Sequence, residues 1–213
     1  IYPPQVSLVG SYYTGKFVPW SNFNFNVVAY NNMGQPLKPE EMMDTLLPEF
    51  SKKSDLLMRI KTCSGHNVTM LKLECNEEYD SRKIEVSLRE DPGLHKTEHI
   101  INEYFKAYRF LEPLYYVLKK FLYNTNLCNI SEHSPKGDRV PGPAQEGLGS
   151  YTLILMIVAL FQSMKYQLKI PDTDIYQRFD NLGTLLMSFF NIYGNQIDID
   201  RCDISPTLPN AEI

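Results

Sequence analysis

The sequence has few cysteines, and no two of them lie close together. The four cysteines Cys63, Cys75, Cys128 and Cys202 form no CxxC pair. Zinc sites and redox motifs place two cysteines a few residues apart, so neither kind of site is indicated. Because disulfides are rare in the cytosol, we expect reduced thiols in an intracellular protein. The sequence does not distinguish nucleus, cytoplasm and mitochondrion.

The sequence also lacks a long hydrophobic run and an excess of positive charge. Its longest apolar run is LILMIVALF at 153–161. A membrane-spanning helix needs about 20 apolar residues, so this run predicts a buried helix and no membrane contact. The net charge is -4 and the isoelectric point is about 5.6. Such a chain has no general attraction for phosphate backbones, so contact with RNA requires a local basic patch.

The remaining composition is that of a folded globular protein, with 43% hydrophobic, 12% aromatic and 22% charged residues. Short β-type runs and one helical stretch, PEEMMDTLLPEFSKK, fill residues 1–92, and helical periodicity covers 96–124, 148–166 and 179–193. We therefore predict an α+β protein with a mixed-sheet lobe at 1–92 and a mainly helical lobe at 93–213. Because Ile1 already lies close to a strand, we expect the first lobe to lack its N-terminal part.

One predicted strand carries asparagine at alternate positions. The stretch SLVGSYYTGKFVPWSNFNFNVVAY, residues 7–30, reads as a strand, a glycine-serine turn and a second strand with Asn22, Asn24 and Asn26 on one face. Asparagine is depleted in strands. Solvated residues of an edge strand are one interpretation. The other interpretation is a nucleotide-binding site that has lost its metal ligands. The turn amides and the serine can bind a triphosphate, and aspartates at the positions of these asparagines could bind two metal ions.

The stretch GSYYTGKFVPWSNFNFNVV resembles the signature GSxxTGLxxPxSDIDLVV of the DNA-polymerase-β-like nucleotidyltransferase superfamily, in its RNA-tailing branch of poly(A) polymerases and terminal uridylyltransferases. Three further blocks follow in the family's order. YYVLKKFLYNTNL is similar to its lysine-bearing helix, GLGSYTLILMIVALFQ to its nucleotide-recognising helix, and NLGTLLMSFFNIYG to its poly(A)-polymerase-associated segment. The resemblance implies a palm-like nucleotidyltransferase lobe, followed by a helical central domain with that segment.

The resemblance places Asn22 and Asn24 where the family has metal-binding aspartates, and Glu85 of IEVSL where it has its third carboxylate. Two of the three charges that would hold two Mg²⁺ ions are therefore absent. This implies a pseudoenzyme without a cofactor, acting as a binding or scaffold subunit in RNA processing. We expect a protein partner in a complex, weak or absent nucleotide binding, and RNA as a further candidate partner.

An alternative remains open. The chain is then a genuine template-independent RNA nucleotidyltransferase that carries engineered aspartate-to-asparagine changes, and its native aspartates at 22 and 24 would bind Mg²⁺ together with Glu85. Glu85 departs from the family's pattern as well, and so does Glu146, where the family has glycine. Scattered departures of this kind favour natural divergence over design.

The resemblance also implies contacts to a nucleotide. It assigns Gly10 and Ser11 to the phosphates, Lys119 to the triphosphate, and Tyr151 to stacking on the base. Thr97 and Ser150 are two further positions that match the family's nucleotide contacts. Other interpretations are a core position for Tyr151 and a solvated face for Lys119, which precedes Lys120. We expect the pocket in a cleft between the lobes, with the exposed loop 129–147 at its lip. The aromatic series 104–116 predicts core packing between helices, with a protein-binding face as the alternative.

Overall fold

The computed structural model describes residues 2–65, 68–89, 96–125, 127, 148–168, 181–198, 201 and 203–206. The chain forms two compact units, Ile1–His99 and Ile100–Ile213. The predicted lobe boundary at residue 92 and the predicted loop 129–147, which contains Glu146, lie outside the described residues, as do Cys128 and Cys202. Within the described part, Cys63 and Cys75 are free thiols.

The first unit contains a mixed five-stranded sheet, which confirms the predicted α+β class. Its elements are β1 (Gln5–Val9), α1 (Gly10–Thr14), β2 (Phe23–Val28), α2 (Pro39–Ser51), β3 (Leu57–Gly65), β4 (Val68–Cys75), a 3-10 turn (Glu77–Tyr79) and β5 (Lys83–Leu88). The strand order is β1-β2-β5-β4-β3. The β2–β5 pair is parallel, and the other three pairs are antiparallel.

The two faces of this sheet differ in character because side chains alternate along each strand. One face carries Leu71 and Leu73 of β4 and Val86 and Leu88 of β5, and it packs with Met42 of α2 in one apolar cluster. The intervening residues of the same strands are polar and point to the opposite face. Burial of the apolar face thereby fixes which residues of each strand remain available for a site on the other face.

Helix α3 (Lys96–Ala107) begins in the first unit, and the second unit contains α4 (Leu111–Asn124), α5 (Ser150–Leu168) and α6 (Leu182–Asn191), which continues as a π-helix (Ile192–Gln196). The core of this unit includes the fully buried Tyr115, Leu153 and Ile157. Of the aromatic series 104–116, Tyr104 and Tyr115 are buried and the others pack against the core. The prediction of core packing for this series is confirmed.

The helical periodicity at 96–124 does not form one helix, and this is a correction to the sequence-based expectation. The structure ends α3 at Ala107 and starts α4 at Leu111. Pro113 explains the break, because proline has no N–H and its ring clashes with the carbonyl four residues earlier in a helix interior. In the first turn of α4 it costs no hydrogen bond. The proline was visible in the sequence and predicts this helix start.

A partly buried tyrosine hydrogen bond links two helices of the second unit. The Tyr193 hydroxyl donates a hydrogen bond to the Met156 carbonyl oxygen at 2.7 Å, and burial raises the pKa of Tyr193 to about 12. The hydroxyl therefore stays protonated near neutral pH, and its hydrogen bond holds the π-helix against α5. No helix in the described ranges is long and apolar enough to cross a membrane.

The turn between β1 and α1 requires glycine at its first position. Gly10 has φ +70, and a Cβ at this position would lie 2.9 Å from Asn24 Nδ2. The Thr14 Oγ1 donates to the carbonyl oxygens of Gly10 and Ser11, both at 3.2 Å, and Gly15 ends the helix with φ +72. The glycines at both ends of α1 thus adopt the left-handed conformation that other residues avoid.

Gly10→Ala is predicted to lower the free energy of unfolding by about 1–3 kcal/mol, because it adds both left-handed strain and a steric contact with Asn24. Gly15→Ala is the matched control. Its φ is nearly the same, but no atom lies within 4 Å of an added Cβ. Urea denaturation followed by circular dichroism measures both variants. Equal losses in the two variants would show that the contact with Asn24 contributes nothing.

Candidate functional site

The three predicted metal-ligand positions lie together on the polar face of the sheet. Strands β2 and β5 run parallel with Asn24 aligned to Glu85. Asn22 precedes β2 and faces the same side, where its Nδ2 donates to Glu85 Oε1 at 3.2 Å. The structure therefore places Asn22, Asn24 and Glu85 next to one another, although Asn22 and Glu85 are 63 positions apart in the sequence.

Lys72 is a member of this cluster that the sequence did not reveal. It lies on β4, the antiparallel neighbour of β5, and its register partner is Glu85. The Lys72 Nζ is 3.6 Å from Glu85 Oε1, and the two side chains are 25% and 24% exposed. The alternation in MLKLE, with Leu71 and Leu73 in the core, indicates that Lys72 points to the polar face. Only the pairing of β4 with β5 shows that it meets Glu85.

The donor set at this face does not fit a pair of Mg²⁺ ions. Asparagine carries no charge, and Lys72 opposes the charge of Glu85, so the cluster has no net formal charge. The Asn22 amide presents its NH₂ group to the carboxylate, because an amide oxygen would be repelled there. Mg²⁺ requires oxygen ligands, and bridged ions require anionic ones. Within the described part of the chain, no group of three acidic, cysteine or histidine residues is placed to hold a metal ion.

The predicted phosphate turn at Gly10 is hydrogen-bonded to an acidic residue of α3, Glu98, which was not predicted from the sequence. The Gly10 N–H donates to Glu98 Oε1 at 3.1 Å, and Glu98 is 7% exposed. Thr97, which was singled out by the resemblance, is exposed on α3. Glu98 Oε2 and Asn24 Oδ1 are both buried and have no hydrogen-bond partner among the described residues. The period of α3 indicates a buried position for Glu98, since Ile101 follows three residues later on the same face.

Lys119 forms a hydrogen-bonded cluster with the start of α5. Its Nζ donates to the Tyr115 hydroxyl and to the Ser150 Oγ, each at 2.9 Å. Burial raises the pKa of Tyr115, although its hydrogen bond with Ser150 acts in the opposite direction. The half-buried Lys119 is thus not a residue of a solvated face, whereas the adjacent Lys120 is exposed. The structure brings Lys119 and Ser150 together, and their contact with a nucleotide stays a prediction.

Tyr151 is 43% exposed in the first turn of α5, so the interpretation as a core aromatic is wrong. Its stacking on a base stays a prediction. The predicted nucleotide contacts are divided between the units, with Gly10, Ser11 and Thr97 in the first and Lys119, Ser150 and Tyr151 in the second.

Comparison with known proteins shows several similar sequences. No protein-family model matches the chain. Poly(A) RNA polymerase cid14 of Schizosaccharomyces pombe is 26% identical over 204 residues, which are 95% of this chain and 26% of the relative. Poly(A) RNA polymerase gld-4 of Caenorhabditis elegans is 27% identical over 203 residues, which are 95% of this chain and 21% of the relative. The chain thus spans about a quarter of the length of these curated relatives.

Solved structures show the same fold. The polymerase core of TRAMP, described as an RNA surveillance complex, superposes with a TM-score of 0.61 at 22% identity, covering 92% of this chain and 54% of that chain. The GLD-2/RNP-8 complex gives a TM-score of 0.63 at 16% identity, covering 93% of this chain and 65% of that chain. The chain is therefore a homologue of poly(A) RNA polymerases and has the fold of the RNA-tailing nucleotidyltransferases.

Proposed function

We propose that this chain is a catalytically inactive homologue of RNA terminal nucleotidyltransferases and acts as a binding or scaffold subunit. One observation carries the proposal. The carboxylate of Glu85, which alone of the three metal-ligand positions retains a charge, accepts a hydrogen bond from Asn22 and is paired with Lys72. Its charge is thereby partly compensated within the sheet.

The lack of negative charge at Asn22 and Asn24 bears directly on two-metal catalysis. In two-metal nucleotidyl transfer, one ion activates the attacking hydroxyl and the other stabilises the triphosphate and its leaving group. Both ions carry two positive charges, and neutral amides compensate none of that charge. A divalent ion at this face would also lie close to the Lys72 ammonium and be repelled by it. The residues of this site can bind one another, and they cannot assemble the reaction centre.

A role in a complex is supported by the structural neighbours. These neighbours are the polymerase core of TRAMP, the GLD-2/RNP-8 complex and a complex of GLD-2 with GLD-3. Those proteins thus assemble with other proteins, and we extend this property to the present chain. Its net charge of -4 favours a protein partner over a nucleic acid as the main ligand.

The second candidate is an active RNA nucleotidyltransferase with engineered asparagines. The alignment of Asn24 with Glu85, and the approach of Asn22 to Glu85, favour it, because aspartates at 22 and 24 would recreate a cluster of three carboxylates. Lys72 would then compensate only part of the charge. Sequencing the native cDNA shows which residues occupy positions 22 and 24 in nature.

The chain with Asn22 and Asn24 is predicted not to extend an RNA oligonucleotide with ATP or UTP, in either Mg²⁺ or Mn²⁺. The two asparagines cannot compensate the charge of the metal ions. Gel-resolved primer extension measures this, with a protein-free blank and an active poly(A) polymerase as controls. The Asn22→Asp, Asn24→Asp double variant is assayed in parallel. Extension by the unaltered chain well above the blank would refute the proposed inactivity.

The chain is further predicted to copurify with a protein partner in stoichiometric amount when it is captured from native extract. The same preparation, irradiated before capture, reports RNA crosslinked to the chain. Recovery of crosslinked RNA without a stoichiometric protein would place the chain among RNA-binding proteins instead.

A further inference from the structure

A buried carboxylate lies where the predicted phosphate turn begins. Glu98 is the third residue of α3 and is 7% exposed. Its Oε1 accepts a hydrogen bond from the Gly10 backbone N–H at 3.1 Å, across 88 positions of sequence. Its Oε2 is buried and has no hydrogen-bond partner in the described part of the chain. Buried polar atoms are normally paired, so an unpaired carboxylate oxygen at this position requires an explanation.

The turn itself is suited to an anion. Gly10 adopts φ +70, and its N–H points out of the β1–α1 connection toward the carboxylate. Backbone N–H groups in turns of this kind bind phosphate and carboxylate groups. The absence of a Cβ at Gly10 lets Asn24 approach closely, with its Nδ2 at 2.9 Å from the position of an ideal Cβ. Here the anion comes from the chain itself.

We propose that Glu98 is an internal anion that occupies the Gly10 turn and excludes polyphosphate ligands from it. The proposal goes beyond the proposed function and takes from the family resemblance only the expectation that an active relative holds phosphates at this turn. A phosphate group that used the Gly10 N–H would have to displace Glu98 Oε1. It would also approach a second, unpaired carboxylate oxygen, and in a buried environment like charges repel strongly. Glu98 thus acts on ligand specificity, independently of the metal-ligand positions.

Glu98→Gln tests the proposal because it removes the charge and keeps an oxygen that can accept the Gly10 hydrogen bond. Glu103→Gln is the matched control. It makes the same change on the same helix, at a residue whose carboxylate pairs with Lys106 at 2.8 Å. The probe is inorganic tripolyphosphate in metal-free buffer, and isothermal titration calorimetry measures its affinity for the full chain. We expect Glu98→Gln to bind at least about tenfold more tightly than the unaltered chain and Glu103→Gln.

Glu98→Ala provides a second variant, because it removes the acceptor as well as the charge, and the same direction of change is expected. Far-ultraviolet circular dichroism confirms the fold of each variant before titration. If neither variant binds tripolyphosphate more tightly than the unaltered chain, or if the unaltered chain already binds it as tightly, the proposal is wrong. RNA extension by the unaltered chain would refute the proposed function alone, since that assay does not depend on the comparison between Glu98 variants.

Discussion

The parallel pairing of β2 with β5 is the interaction on which the rest of the first unit depends. It joins two strands that are distant in sequence and aligns Asn24 with Glu85. Each of these two strands also has an antiparallel neighbour, β1 beside β2 and β4 beside β5. Because α2 covers the apolar face, Asn24 of β2, Lys72 of β4 and Glu85 of β5 are presented on the other face. The site is therefore a consequence of how the core is buried.

The same geometry that brings carboxylates together in an active enzyme here brings together groups that satisfy one another. Asn22 and Lys72 both contact Glu85 Oε1, and Glu98 contacts the glycine turn. Under the proposed function, each contact takes the place of one that an active relative would make to a metal ion or a phosphate. Under the proposed function, the chain keeps the surfaces and the core of this fold without the reaction, since function belongs to a site and not to the fold that carries it.

Much of this structure could be predicted from local sequence patterns. The alternation in FNFNVV predicted β2 and the common face of its asparagines, and the helical stretch PEEMMDTLLPEFSKK predicted α2. Contacts between distant segments could not be predicted in this way. Lys72 and Glu98 belong to the site only because strand order and helix placement bring them there. The break before α4 is different, since Pro113 was present in the sequence and marks a first turn.

The central claim is that the face formed by Asn22, Asn24 and Glu85 lacks the charge to bind two divalent ions. A titration with Mn²⁺, in which electron paramagnetic resonance reports the free ion, measures this most directly. The account predicts that Glu85→Gln leaves the Mn²⁺ binding of the chain unchanged, because one carboxylate that is already paired with Lys72 cannot hold two divalent ions. Saturable binding of two Mn²⁺ ions per chain that is abolished by Glu85→Gln would contradict it.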